Sequence, residues 1–543
     1  MTEISVREVQ CTPFNDQRPG TAGLRKKVTV FQQPNYLENF VQSIFDTLDL
    51  GNDATLVLGG DGRFFNREAI NIITAMAVAN NIGRLVIGQD GLLSTPAVSN
   101  LIRTRKTNGG ILLTASHNPG GPDGDFGIKF NTASGGQAPE QLTDAVYEHS
   151  QSISSYRIAD INPLDLGTLG TYSIGTMEVE IVDPVSDYAV LMEELFDFEL
   201  IRGAFKSGTR LHFDALNAVT GPYAEKIFCD LLGASKDSVH NTQPLENFGG
   251  LHPDPNPVDA AHLVKLAFAD NAPDLLAASD GDGDRNMILG RGMIVSPGDS
   301  LAIMLANTQL APGYREAIPG VARSMPTSRA VDMVAAELNI PLYETPTGWR
   351  FFCNLLESGS IALCGEESFG TGSAHTREKD GLWAILYWLN MMASLDQSVD
   401  EIVQRHWRRF GRCFFQRRDY FIPDTDKANA LIQDLTTSIR DLAAITTNIE
   451  TADVFSYTDP VDGSVSNNQG IRIFLTDGSR IVYRLSGTGT SGATLRVYLD
   501  KQERDSTRIQ QTPAYALDEL GLLATDIARI KHYTGLDAPT FSI

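Results

Sequence analysis

Short apolar runs recur along this chain, each followed by a stretch in which apolar positions return with helical spacing. "ATLVLGGD" precedes "REAINIITAMAVANN", "RLVIGQDG" precedes "STPAVSNLIRTR", and "GGILLTASHNPGG" breaks off at a Gly/Pro turn. A short apolar run bounded by turn residues predicts a buried strand, and its alternation with helices predicts βαβ units. Ile70, Ile73 and Ala77 stand at i, i+3 and i+7, which gives the first of these helices one apolar face to lay on a sheet.

The same unit returns further on. After the helical stretch "LMEELFDFELIRG", the run "TRLHFDALNAVTGPYAEKIFCDLLG" reads as strand, turn and helix, and "DLLAASDGDGDR" as a strand ending in an acidic loop. A third block, from about Pro297, contains "AIPGVARSMPTSRAVDMVAAELN" and "SIALCGEESFG". From about Cys413 the texture changes to β-branched and aromatic segments such as "SRIVYRLSGTGTSGATLRVYLD", which predict antiparallel strands. The fold class expected is therefore α/β: three βαβ-type mixed-sheet domains over residues 1–190, 191–296 and 297–411, then an α+β C-terminal domain over 412–543. The 543-residue length and 42% hydrophobic content suit about three or four cores.

The net charge is −23, from 67 acidic and 44 basic residues, which disfavours a general partner in nucleic acid or anionic membrane. An anionic substrate must then meet a local basic site. The five cysteines are scattered without C-x-x-C spacing, so neither a disulfide framework nor a zinc site is indicated, and a reducing cytoplasm is the expected home. No apolar run approaches the ~18 residues of a membrane span, and the first residues carry charge where a secretory signal has an apolar centre.

Ligands of open α/β sheets gather beyond the carboxyl ends of strands, and each block offers a polar loop there. In "TASHNPGG" the Pro119-Gly120-Gly121 turn predicts a projecting Ser116 hydroxyl with His117 beside it as proton acceptor, although a lone serine more often caps a turn. In "SDGDGDR" Asp280, Asp282 and Asp284 alternate with glycines and can converge on one hard divalent cation. The competing EF-hand calcium reading is weak, since Arg285 and Arg291 stand where that loop needs Gly and Glu. Glu366 and Ser368 in "CGEESFG" suit the vicinal hydroxyls of a sugar. In "RLSGTGTSGATLR", backbone N–H groups and hydroxyls lie between Arg484 and Arg496, the composition of a phosphate cradle. A nucleophile, a cation, hydroxyl readers and a phosphate cradle are the parts of phosphoryl transfer.

In this combination the chain resembles the α-D-phosphohexomutases, through "RPGTAGLRKKV", "TASHNPGGPDGDFGIKFN", "DGDGDRNMI", "TPTGWRFF", "CGEESFGTGSAHTREKDGLWA" and "RLSGTGTSGATLRVY", in that order over nearly the whole length. The resemblance implies a four-domain, heart-shaped molecule with one loop from each domain in a central cleft. It implies that Ser116 carries a phosphate and that one Mg²⁺ is held by Ser116, Asp280, Asp282 and Asp284. Acid–base or charge-stabilising roles fall to His117, Lys129 and Lys379. Substrate contacts fall to Arg25, Arg285, Thr347, Gly348, Glu366, Ser368 and Lys379, and the distal phosphate to Arg484, Ser486, Gly487, Thr488 and Arg496. The activity implied is interconversion of α-D-glucose 1-phosphate and glucose 6-phosphate through glucose 1,6-bisphosphate, which also serves as activator, in a monomer or weak homodimer. The chain departs from the family pattern at Arg350 and at Ala374-His375, beside assigned positions. A metal-dependent phosphatase would share Ser116 and the aspartates but has no use for a second phosphate cradle, and a catalytically silent relative has no use for the intact serine and aspartates.

Overall fold

The computed structural model describes residues 4–445, 448–489 and 492–543, apart from the side chains of 440–445, 488 and 489. Its N-terminal sheet has seven strands, in which Thr55–Gly60, Arg84–Leu92, Gly109–Leu113 and Met177–Val182 run parallel. Leu24–Lys27, Asp125–Thr132 and Gly170–Ile174 extend this sheet antiparallel at its two edges. Gly109–Leu113 is buried along its whole length, as a continuous apolar run requires in a sheet covered on both faces. The helix Asn66–Ala79 lays Ile70, Ile73 and Ala77 on that sheet, all three buried. The helix Thr95–Arg105 starts where its sequence says it should: the Ser94 hydroxyl accepts from Ala97 N–H at 3.3 Å, with Pro96 in the first turn.

Two smaller mixed sheets follow. One has five strands, with Leu211–Asp214 parallel to Leu275–Ser279 and the latter antiparallel to Asn286–Gly290. The other has four, with Val321–Ser324 parallel to Leu342–Thr345 and Leu363–Glu366, and Gly370–Ser373 antiparallel at the edge. The helix Gly381–Leu395 is apolar nearly all round, so it sinks into the core that these units share, with Trp383 and Trp388 fully buried. The last sheet has six strands, all antiparallel, backed by the helix Thr425–Ile445 and carrying its own core. The expected fold class, mixed α/β sheets followed by an α+β unit, is what the chain adopts.

Buried polar ties join these units. Arg480, fully buried in the last sheet, donates to the carbonyls of Met325 and Thr327 at 2.8 Å each and pairs with Asp500 at 3.1 Å. Lys129 of the first sheet lies 3.5 Å from Glu378 of the third unit. Such pairs hold position more than they add stability, because desolvation offsets most of the attraction.

The helix Val399–Phe410 buries His406, and neither ring nitrogen has a hydrogen-bond partner. Burial, with Arg405 and Arg409 nearby, pushes its pKa down to about 3. The unfolded chain therefore takes up this proton near pH 6.5 and the folded chain does not, so stability is complete above pH 6.5 and falls as pH drops towards 3. His406→Phe should remove about 2 kcal/mol of the loss seen between pH 7.5 and 5. Urea midpoints of both proteins at the two pH values measure it, and parallel losses would refute it.

Candidate active site

Beyond the strand Gly109–Leu113 the chain turns through Thr114, Ala115 and Ser116, and Ser116 takes the left-handed conformation with φ +52. Such a backbone is costly for a residue with a side chain and persists only where neighbours hold it. Here the Thr114 hydroxyl accepts from Ser116 N–H at 2.7 Å and donates to Asp61 at 2.6 Å. Arg63, fully buried on Asp61, donates to the Ser116 carbonyl at 2.6 Å and to that of Asp125 at 2.8 Å. The strained turn aims the hydroxyl. Instead of projecting freely, as the turn residues predict, Ser116 is buried, because the acidic loop of the second sheet closes over it. Its Oγ donates to Asp280 Oδ2 at 2.8 Å and lies 3.3 Å from His117 Nδ1. The approach is close enough that a Cβ at Gly281 would collide with the Ser116 carbonyl.

Asp280, Asp282 and Asp284 are all buried, with carboxylate oxygens within 4.8 Å of one another. Gly283, at φ +79, supplies the curvature. Asp280 Oδ1 accepts from the N–H groups of Asp284 and Arg285 at 2.9 Å each. Asp282 Oδ2 accepts from the Thr95 hydroxyl at 2.8 Å, and Asp284 Oδ2 pairs with Lys379 at 3.0 Å. Burial, then the charges of Asp284 and Asp282, raise the Asp280 pKa well above the ordinary range. Burial also works to raise Asp282, but Lys129, Lys379 and the Thr95 bond outweigh it and hold Asp282 below its usual value. Asp282 Oδ1 and Asp284 Oδ1 are left buried without a partner. Partnerless carboxylate oxygens beside a serine hydroxyl form a hard oxygen donor set, which fits a divalent cation such as Mg²⁺. A second acidic group, His252, Asp254 and Asp259, satisfies itself: His252 pairs with Asp259 and Asp254 with Arg285, both at 3.1 Å.

Cations surround this centre. Arg25, on the edge strand opposite Gly127, is held below its ordinary pKa by burial, and its Nε has no partner. Arg285 also lies 3.9 Å from Asp280. Lys379 is raised, since Asp284 first and then Glu366 and Asp282 overcome burial and the repulsion of Arg285. Burial, then Arg285, Arg25, His252 and Lys379, hold the His117 pKa well below its ordinary value, so its ring is neutral. Glu366 Oε1 accepts from Gly348 N–H at 3.0 Å, burial raises its carboxyl, and the neighbouring Thr347 hydroxyl is buried without a partner. Ser368 is half-buried in the turn between Leu363–Glu366 and Gly370–Ser373.

The fourth loop is the hairpin tip between Arg480–Gly489 and Gly492–Glu503, which sets Arg484 directly opposite Arg496. Like charges across a pair of strands repel, so this pairing favours an anion between them. Arg496 Nε is 3.9 Å from Asp419 and has no hydrogen-bond partner, while Arg484 Nη1 donates to the Tyr498 hydroxyl at 3.5 Å. Ser486 is half-buried, Gly487 takes φ +72, and the Thr488 side chain lies outside the described residues. Among the described residues no hydrogen bond or ion pair joins this hairpin to Ser116 or the aspartates. The structure thus gathers Ser116, His117, Lys129, the three aspartates, Arg285 and Lys379 through direct contacts or shared charge, and leaves the arginine pair apart. Sequence reading missed Thr95, Thr114, Asp61 and Arg63, which aim Ser116 and Asp282, and Glu378, which holds Lys129. Thr114, which opens "TASHNPGG", and Glu378, next to Lys379, stood inside motifs already singled out.

Family models match four successive parts of the chain: phosphoglucomutase/phosphomannomutase alpha/beta/alpha domain I over residues 16–157, domain II over 187–292, domain III over 297–410, and the phosphoglucomutase-1 C-terminal domain over 412–540. A phosphoglucomutase of Rhizobium radiobacter is 53% identical over 538 residues, 98% of this chain and 99% of that one. Human phosphoglucomutase-1 is 49% identical over 559 residues, covering 99% of both. Among solved structures, the open form of the Paramecium exocytosis-sensitive phosphoprotein pp63/parafusin, a phosphoglucomutase, superposes with TM-score 0.93 at 47% identity and 99% coverage of both chains.

The Thr95 hydroxyl fixes which oxygen of Asp282 stays free for a cation. Thr95→Val should weaken Mg²⁺ binding by about tenfold, the usual worth of a hydrogen bond to a charged group, while Thr95→Ser retains it. Calorimetric titration of Mg²⁺ measures the difference, and equal affinities in all three proteins would contradict it.

Proposed function

The chain belongs to the phosphoglucomutase/phosphomannomutase family of phosphotransferases, and from that premise we propose that it interconverts α-D-glucose 1-phosphate and glucose 6-phosphate through a phosphorylated Ser116 and bound glucose 1,6-bisphosphate. The observation that carries this reading is the buried Ser116 hydroxyl, 2.8 Å from Asp280 in a set of three carboxylates with two partnerless oxygens. Bound there by Ser116, Asp280, Asp282 and Asp284, Mg²⁺ would neutralise charge on the transferring phosphoryl group.

This chain's residues would do the rest. Ser116 gives its phosphoryl group to O6 of glucose 1-phosphate: the bond from phosphorus to Oγ breaks as the bond to O6 forms, the O6 proton leaves to a base, and Oγ takes up a proton. His117 Nδ1, 3.3 Å from Ser116 Oγ, lies within reach of that oxygen for the proton exchange. Arg25, Lys129, Arg285 and Lys379 stabilise negative charge around the transferring group. Glu366, Ser368, Thr347 and Gly348 hold the sugar hydroxyls. Arg484, Ser486, Gly487, Thr488 and Arg496 hold the phosphate that is not reacting. The bisphosphate then turns, and its C1 phosphate returns to Ser116, releasing glucose 6-phosphate. Burial of Ser116 keeps water from the phosphoserine.

All four loops come from one chain, which supports activity as a monomer or weak homodimer. Among the described residues no helix is long and apolar enough to cross a membrane, and all five cysteines are free. A reducing compartment suits these thiols, and we place the enzyme in the cytoplasm.

Ser116→Ala should lose at least about 10³-fold in mutase rate without loss of fold, since the nucleophile is removed. A coupled assay on glucose 1-phosphate with Mg²⁺ and trace bisphosphate, alongside melting curves, tests this; near-normal turnover would end the phosphoserine reading, and phosphate release without isomerisation would indicate a phosphatase. Arg496→Ala should weaken glucose 1-phosphate binding by roughly ten- to a hundredfold and make turnover dependent on added bisphosphate, because a two-pronged grip is lost and the intermediate escapes. Arg496→Lys should recover part of it. An unchanged KM would move the distal phosphate to another loop.

A further inference from the structure

The sugar-facing loop and the arginine hairpin are joined by a hydrogen-bonded path through two residues with no role so far. Glu366 and Glu367 are consecutive and both buried, yet they serve different neighbours. Glu366 receives Gly348 N–H, whereas Glu367 Oε1 accepts from the Tyr498 hydroxyl at 3.0 Å and its Oε2 from Ser324 at 3.5 Å. Glu366 ends the strand Leu363–Glu366 and Glu367 opens the turn that follows, so one peptide link separates a carboxylate at Gly348 from one against the C-terminal sheet.

Tyr498 stands two residues beyond Arg496 on the same strand, and Arg484 lies opposite Arg496, so all three share one face of the sheet. Tyr498 is fully buried, and its hydroxyl accepts from Arg484 as it donates to Glu367. Burial and the Glu367 charge push its pKa up to about 12, so the phenol keeps its proton and the donation has one direction. Against the pull of burial, the charges of Asp419 and Glu367 hold Arg496 above its ordinary value. Glu367 and Asp419 are the carboxylates whose charges act on Arg496.

We propose that Tyr498 and Glu367 are positioning residues that couple phosphate occupancy at Arg484 and Arg496 to the placement of Glu366 on the sugar. The proposal rests on the cradle assignment made above. A phosphate that engages Arg484 draws its charge away from the Tyr498 oxygen, Glu367 becomes the sole strong partner of that hydroxyl, and the peptide link to Glu366 is held more firmly. Hydrogen bonds in such a chain polarise one another, and the coupling is reciprocal: a sugar held by Glu366 strengthens the grip on phosphate.

The test is a double-mutant cycle between Arg484→Ala and Glu366→Gln, run with and without Tyr498→Phe, reading glucose 1-phosphate affinity by calorimetry in a Ser116→Ala background that cannot turn over. With Tyr498 intact, the double variant should depart from the product of the single effects by at least about threefold; with Tyr498→Phe, the effects should multiply within about twofold. In the active enzyme, Tyr498→Phe should raise KM by about tenfold with a smaller change in kcat, a split that a general loss of structure does not produce. Should Tyr498→Phe melt markedly lower than the parent, Glu367→Gln, which keeps shape and removes charge, takes its place in the cycle. Effects that multiply in both backgrounds, or an equal departure in both, overturn the coupling. An Arg484→Ala variant with unchanged affinity overturns the cradle assignment and the coupling with it, and the single variant alone reveals that case.

Discussion

Three buried carboxylates within 4.8 Å of one another are the constraint around which this molecule is arranged. Each buried charge costs several kcal/mol unless paired, and like charges in one place add to that cost. The surrounding structure answers with Lys379 on Asp284, Arg285 beside Asp280, a hydroxyl on Asp282, and Ser116 itself on Asp280. What remains unanswered, two carboxylate oxygens without partners, is the capacity of the site to take a cation.

That answer draws on separate sheets. Thr95 and Ser116 come from the first, the aspartates and Arg285 from the second, Lys379 from the third. A centre shared this way exists only while the units stay in register, which explains why buried polar groups such as Arg63 on Asp61 and Lys129 near Glu378 sit at or between them. Their value lies in placement. The left-handed turn at Ser116 makes the same point locally, since a strained backbone tied by Thr114 and Arg63 aims one hydroxyl more strictly than a relaxed loop would.

The C-terminal sheet is joined differently. Arg480 docks it on the third unit through two carbonyls, and the arginine hairpin is hydrogen-bonded to the loop after Glu366 through Tyr498 and Glu367. Two chemical ends of one substrate would thus be read by elements of distinct sheets, an arrangement suited to an intermediate that must be held while it turns.

The sequence by itself determined the elements and the residue types that each loop carries. Apolar runs mark the strands Gly109–Leu113 and Leu275–Ser279 and helical spacing marks Asn66–Ala79, while Ser116, Asp280, Glu366 and Arg496 stand out only in combination and through the family resemblance, since a lone serine more often caps a turn. These are local properties, set by backbone periodicity and side-chain chemistry within a few residues. Only the tertiary structure decided that Ser116 is buried on Asp280, 164 residues away, that Thr95 orients Asp282 across 187 residues, and that Glu367 faces Tyr498 and not the neighbours of Glu366. Thr95 and Tyr498 carry no signal in their own neighbourhoods, since a threonine at a helix start and a tyrosine in a strand are ordinary there. Their roles arise from packing one sheet against another, which depends on the summed shape of whole faces and on no short stretch of chain.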